Sequence, residues 1–123
     1  MTNVIHISSK EQFQQEIATA PVSVIDFFAD WCGPCRLVLP VMDGLSEANA
    51  EKGVKILKVN VDENPDLAAE FGVSTIPTVL FAVAGEVKEG LIGANPQTVY
   101  QEKIDAYLAG DESAEEVTKP EEA

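Results

Sequence analysis

The sequence predicts an α/β fold in which a central mixed β-sheet carries helices on both faces. Two observations carry this reading. Val22 to Ala29 is a nearly continuous run of apolar, β-favouring residues rather than an alternating one, so both faces of that strand must be covered. Most strand-like segments are separated by helical ones, and crossovers through helices demand parallel neighbours. Two later strands joined through Gly85 demand an antiparallel pair, so the sheet is mixed.

Taken in chain order, Val4-Ile5-His6-Ile7 reads as a short strand. Ser8 and Ser9 stand three residues before Glu11 and Gln12, the spacing of a capping box. A helix follows, with Phe13 and Ile17 on its buried face, and it ends before Pro21. After the apolar strand, a long helix is expected from Cys32 to about Asn49. Leu37, Val41, Leu45 and Ala48 face inward in this reading and Arg36, Asp43 and Glu47 outward, with Pro40 kinking the helix. Ile56 to Val61 is the next strand. Asn64-Pro65 supplies an N-cap and a first-turn proline for a helix that Gly72 stops. Thr78 to Ala84 and Glu86 to Ile92 form the hairpin. Asn95-Pro96 repeats the cap-and-proline start, and the last helix packs Val99, Ile104, Tyr107 and Leu108 before stopping near Gly110. Pattern alone leaves the strand order open.

With 46% apolar and 24% charged residues, the 123-residue chain has the composition of a soluble globular domain. No apolar run approaches the roughly 18 residues that a membrane helix needs. The first residues lack the basic and apolar regions of a secretion signal, so a cytoplasmic protein is expected. A net charge of −13 without any cluster of Lys or Arg argues against nucleic acid and anionic membranes as partners. The acidity concentrates in residues 111–123, where six acids meet one base and there is no aromatic residue. That segment reads as a solvated tail behind a domain of residues 1–110.

Cys32 and Cys35 are the only cysteines, and they fall where a strand hands over to a helix. At this spacing their side chains share a helix face, within reach of a disulfide. At the helix N-terminus, unpaired N–H groups and the macrodipole favour the Cys32 thiolate, whereas Cys35, one turn in, stays protonated longer. The pair therefore divides labour: Cys32 attacks a substrate disulfide and Cys35 resolves the mixed disulfide. Gly33 leaves room for a partner's backbone, and Pro34 suits a first helical turn. A purely structural disulfide fits a reducing compartment poorly. A zinc site needs about four ligands, and the chain offers two thiols and the distant His6. No metal or cofactor is expected.

Asp26 is the odd residue in the buried strand. Burial should raise its pKa and make it a candidate proton acceptor, unless local hydrogen bonds satisfy it as a structural group. Lys58 interrupts Ile56-Leu57-Val59 on the face it shares with Ile56 and Asn60, from which it either meets Asp26 or reaches solvent.

Trp31-Cys32-Gly33-Pro34-Cys35 resembles the active site of the thioredoxin family, and the resemblance runs from about Val4 to Leu108. Asp26-Phe27-Phe28-Ala29, Val59-Asn60-Val61-Asp62, Gly72-Val73, Ile76-Pro77-Thr78 and Gly93 also match. The resemblance implies the thioredoxin fold, reduction of disulfides in client proteins and recycling by a thioredoxin reductase; a monomer is expected. It implies that Asp26 helps deprotonate the resolving thiol and that Lys58 is the partner of Asp26. It also implies a cis Ile76-Pro77 bond in a loop against the cysteines, where Ile76 backbone pairs with the client as an added strand. Trp31 and Gly93 would complete the docking surface. Two positions depart from the family. Phe28 replaces a common Trp, and Phe81-Ala82-Val83-Ala84-Gly85 makes an unusually apolar turn, either a tolerated variant or a contact surface. A protein oxidant or isomerase, and a non-enzymatic clamp using the same surface, are the competing functions.

Overall fold

A computed structural model describes residues 3–110. The acidic segment expected to form a tail lies outside the described residues. Five strands form one sheet in the order β1-β3-β2-β4-β5. They are β1 (Ile5–His6), β2 (Val22–Phe28), β3 (Lys55–Asn60), β4 (Thr78–Val83) and β5 (Glu86–Ile92). β1 and β2 pair parallel to β3, while β4 pairs antiparallel to both β2 and β5. The helices are α1 (Lys10–Ala18), α2 (Cys35–Ala48), α3 (Pro65–Glu70) and α4 (Gln97–Leu108), with a short 3₁₀ turn at Ala50–Lys52. No helix among the described residues is long and apolar enough to cross a membrane.

Alternation along β2 explains its continuous apolarity. Val22 and Val24 point into a core with Val38, Met42 and Leu45 of α2 and Tyr100, Ile104 and Tyr107 of α4. Ile25 and Phe27 point the other way, into a core with Phe13 and Ile17 of α1 and Leu67 and Ala68 of α3. Every residue of β2 is buried. Full burial of one such apolar side chain stabilises by roughly 1.5–3 kcal/mol, so both helix layers are anchored by this one strand.

Local signals account for several boundaries. Ser9 caps α1 by accepting from the Gln12 N–H at 3.1 Å, and Gln12 Oε1 reaches back to the Ser8 N–H at 2.7 Å. Two expected caps act otherwise. The Asn64 side chain makes no cap bond and instead donates to the carbonyls of Ile7 and Asn60 at 3.3 and 3.2 Å. Pro96, not Asn95, occupies the N-cap of α4.

The inward face of α2 is corrected. Cys35, Val38, Met42, Leu45 and Ser46 are buried, whereas Leu37 is 67% exposed and Ala48 is exposed. Leu37-Val41-Leu45 and Val38-Met42-Leu45 fit helical spacing equally well, and the burial of Cys35 at the first turn selects the second. In α4, Leu108 is likewise exposed and Tyr100 takes a core position. The hairpin turns on Ala84 (φ 50°) and Gly85 (φ 91°), a geometry that favours Asn-Gly over alanine. Phe81 and Ala82 are buried, Val83 packs against the core, and the exposed Ala84 is held by its N–H donating to Pro21 O at 3.1 Å, so only the turn itself, Ala84-Gly85, is at the surface.

Candidate active site

Three chain segments meet around the cysteines at the end of β2. Cys32 and Cys35 are joined as a disulfide with Cα atoms 5.3 Å apart, in a cluster with Phe28 and Ala29 that Val61 and Ile76 flank. The helix begins later than the sequence suggested. α2 starts at Cys35, with Pro34 at its N-cap, and Cys32 sits in the turn before it. Turn bonds from Arg36 N to Gly33 O (3.0 Å) and from Leu37 N to Pro34 O (3.1 Å) wind the chain into the helix.

This placement gives Cys32 the environment that the dipole argument called for. The Cys35 N–H donates to Cys32 Sγ at 3.2 Å, the i to i+3 bond that a capping side chain makes. An N–H directed at sulfur stabilises a thiolate there. Cys32 keeps 5% exposure against 1% for Cys35, so an incoming disulfide meets Cys32 first. Gly33 and Pro34 are exposed beside it, and a Cβ at Gly33 would have no atom within 4 Å, so nothing inside the protein demands glycine at that point.

Across from the cysteines, Ile76-Pro77 is cis, and the Ile76 carbonyl oxygen lies 3.9 Å from Cys32 Sγ. Thr78 Oγ1 donates to Thr75 O, fixing that loop. Gly93 (φ 96°) donates its N–H to Pro77 O at 2.8 Å, which brings it against the same loop. Trp31 is 69% exposed. Its indole N–H donates to Asp62 Oδ2 at 2.9 Å, so the ring is held although it is not packed. Asn60 holds Asp62 in turn: its Oδ1 accepts the Asp62 N–H at 2.8 Å in an Asx turn. The sequence marks the Asn60-Val61-Asp62 stretch without assigning Asp62 a part, although the Asx-turn pattern was the available signal.

Asp26 is fully buried on the face that carries α2 and α4, and neither carboxylate oxygen has a hydrogen-bond partner. Burial raises its pKa from 3.8 to about 7, and Lys58, opposite it in the β2–β3 register, draws it partly back. Local hydrogen bonds therefore do not satisfy this group. His6, considered and set aside as a metal ligand, has Nε2 3.2 Å from Glu63 Oε1. Besides Asp62, two further residues are missed, and these two carry no signal in the sequence. Tyr100, fully buried, directs its hydroxyl into the Gly93–Asn95 loop. Glu89, only 3% exposed, accepts from the Tyr107 hydroxyl and pairs with Lys103 Nζ at 3.1 Å.

A buried cysteine pair closed as a disulfide in a capped turn, a cis-proline loop against it and an unpartnered carboxylate on the strand that leads into it can exchange disulfides with another protein. Comparison with known proteins agrees. The thioredoxin family model matches residues 4–106. A thioredoxin from Porphyra purpurea is 40% identical over 98 residues, covering 79% of this chain and 91% of that protein. The oxidized crystal structure of mitochondrial thioredoxin 3 from Saccharomyces cerevisiae superposes with a TM-score of 0.75 at 33% identity, over 83% of this chain and 94% of that one. A structure described for the thiol resolving mechanism of a yeast mitochondrial 1-Cys peroxiredoxin via glutathione/thioredoxin systems matches at a TM-score of 0.75 and 32% identity, over 84% and 95% of the two chains.

Proposed function

The chain belongs to the thioredoxin family, and from that premise we propose that its dithiol–disulfide exchange serves as a general reductase of client-protein disulfides, recycled by a thioredoxin reductase. Disulfide exchange itself is the activity of this fold with this cysteine pair. The observation that carries the reading is the Cys35 N–H directed at Cys32 Sγ.

Exchange proceeds in two displacements. The Cys32 thiolate attacks one sulfur of the client disulfide, forming a mixed disulfide and releasing the other client sulfur as a thiolate. Asp26, as carboxylate, is assigned as the acceptor of the Cys35 proton, with water carrying it between the two groups. The Cys35 thiolate then attacks Cys32 Sγ and expels the second client sulfur as a thiolate, leaving the Cys32–Cys35 disulfide seen here. Two electrons have passed to the client, and a reductase must return them to the pair. Lys58 tunes Asp26 by its charge.

Docking is assigned to the exposed ring of Trp31, to Gly33 and Pro34 and to the Ile76, Pro77 and Gly93 backbone, with the client adding a strand along Ile76. The yeast neighbour described for thiol resolution in a 1-Cys peroxiredoxin via glutathione/thioredoxin systems supports thiol enzymes as one class of client. A monomer in a reducing compartment, the cytoplasm, suits a chain that keeps both of its cysteines for exchange.

NADPH-coupled insulin reduction with a thioredoxin reductase tests the proposal. Cys32→Ser should abolish turnover, and Cys35→Ser should hold clients as stable mixed disulfides. Faster alkylation of Cys35 than of Cys32 at neutral pH would invert the assignment.

A further inference from the structure

We propose that the Tyr100 hydroxyl is a positioning group for client docking, holding the Gly93–Asn95 loop in the conformation that receives the client chain. This rests on the reading of Gly93 as part of the docking surface. Tyr100 is fully buried among apolar side chains, with its ring centroid 6.3 Å from that of Phe81. A buried tyrosine must find partners for its hydroxyl, and every partner of this one lies in that loop. The oxygen accepts the Asn95 N–H at 3.1 Å and Asn95 Nδ2–H at 3.4 Å, and its proton goes to Gly93 O at 3.4 Å. Asn95 Nδ2 donates to the same Gly93 carbonyl at 3.3 Å.

The other side of Gly93 faces the site. Its N–H donates to Pro77 O, and the preceding Ile76 carbonyl lies beside Cys32 Sγ. A single chain of bonds therefore runs from α4, through the hydroxyl and the loop, to the cis-proline segment. Gly93 has φ 96°, a conformation open to glycine, and the conformational freedom of glycine leaves bonds from outside the loop to fix it. Burial pushes the Tyr100 phenol up, against the Asn95 hydrogen bonds that draw it down, so the hydroxyl keeps its proton at working pH. No hydrogen bond of Tyr100 goes to either cysteine, so its effect belongs to binding rather than to exchange.

Tyr100→Phe deletes the oxygen and keeps the ring, so the packing against Phe81 survives. With an oxidised peptide client that extends several residues on each side of its disulfide, KM should rise about three- to tenfold, the loss of one or two neutral hydrogen bonds. The kcat should stay within about twofold, as should the rate with bis(2-hydroxyethyl) disulfide. Asn95→Ala should raise KM in the same direction. An unchanged KM in both variants would overturn the proposal, and so would equal losses with the peptide and the small disulfide. The docking premise is read separately in the Cys35→Ser mixed disulfide with that peptide. The backbone amides of Gly93 and Ala94 should shift there; if they do not, the docking reading fails and takes the clamp with it.

Discussion

Asp26 and Glu89 are two carboxylates buried on the same face of one sheet, and they have opposite surroundings. Asp26 sits on the central strand β2 with no hydrogen bond to either oxygen, near the cysteine end. Glu89 sits on β5, at the sheet edge, where the Tyr107 hydroxyl donates to Oε2 and Lys103 approaches Oε1. Lys103 lies off the hydrogen-bonding axis of that oxygen, so the contact is coulombic. Burial alone therefore does not mark a working carboxylate. A group whose charge is met by fixed partners is structural, and a group left without them stays near the point of titration and can exchange a proton.

Replacing Asp26 should produce the largest stability effect, with a sign that depends on pH. Below 3.8 the carboxyl is protonated in both the folded and the unfolded chain. As pH climbs from 3.8 towards 7 the unfolded chain ionises while the folded one keeps its proton, so stability falls, and the loss is complete above 7. Asp26→Ala escapes this loss at the expense of a small cavity. Denaturant curves should find it roughly 2–3 kcal/mol more stable than the parent at pH 7. The gain should shrink at pH 5 and reverse below pH 4, where only the cavity remains.

Glu89→Ala should go the other way. It removes the hydrogen bond between the Tyr107 hydroxyl and Glu89 and the counter-charge of Lys103, at a cost of about 2 kcal/mol discounted for the partial exposure of Lys103. Disulfide reduction should be unchanged. If this variant instead gained stability at pH 7, the contrast between the two carboxylates would collapse. Tyr107→Phe isolates one bond of the pair and should cost about 1 kcal/mol. Ala84→Asn supplies a control remote from both groups: relieving a left-handed alanine should add about 0.5–1 kcal/mol, and the gain should not vary with pH. Any pH dependence there would mean that the titration seen in the Asp26 variant is not specific to Asp26.

The same contrast explains what could be read from the chain. Asp26 is conspicuous because it breaks a continuous apolar run, and the Cys32–Cys35 spacing carries its chemistry in sequence order. Glu89 follows Lys88 in an ordinary polar stretch of β5, and only the docking of α4 buries it. Tyr100 is adjacent to Val99, which fits a helical stripe equally well, so its core position depends on how α4 rotates against β4. The late start of α2 has a similar origin. The first turn is fixed by a sulfur-accepted N–H, which is local but has no pattern of its own in the sequence, and by the contact with the Ile76 loop, which is 44 residues away in the chain. Strand order and the Trp31–Asp62 bond are long-range in the same sense.

The contrast turns on whether the unpartnered carboxylate moves a proton for Cys35, and one measurement addresses that step alone. A client can be trapped on Cys32 as a mixed disulfide, and the rate at which Cys35 releases it followed against pH. An inflection near 7 is expected in the parent, where Asp26 titrates. In Asp26→Ala the inflection should disappear and the rate at neutral pH should fall about ten- to a hundredfold, a modest share of what general-base catalysis supplies. An Asp26→Ala profile that kept the same inflection and the same neutral rate would contradict a proton-accepting role for Asp26.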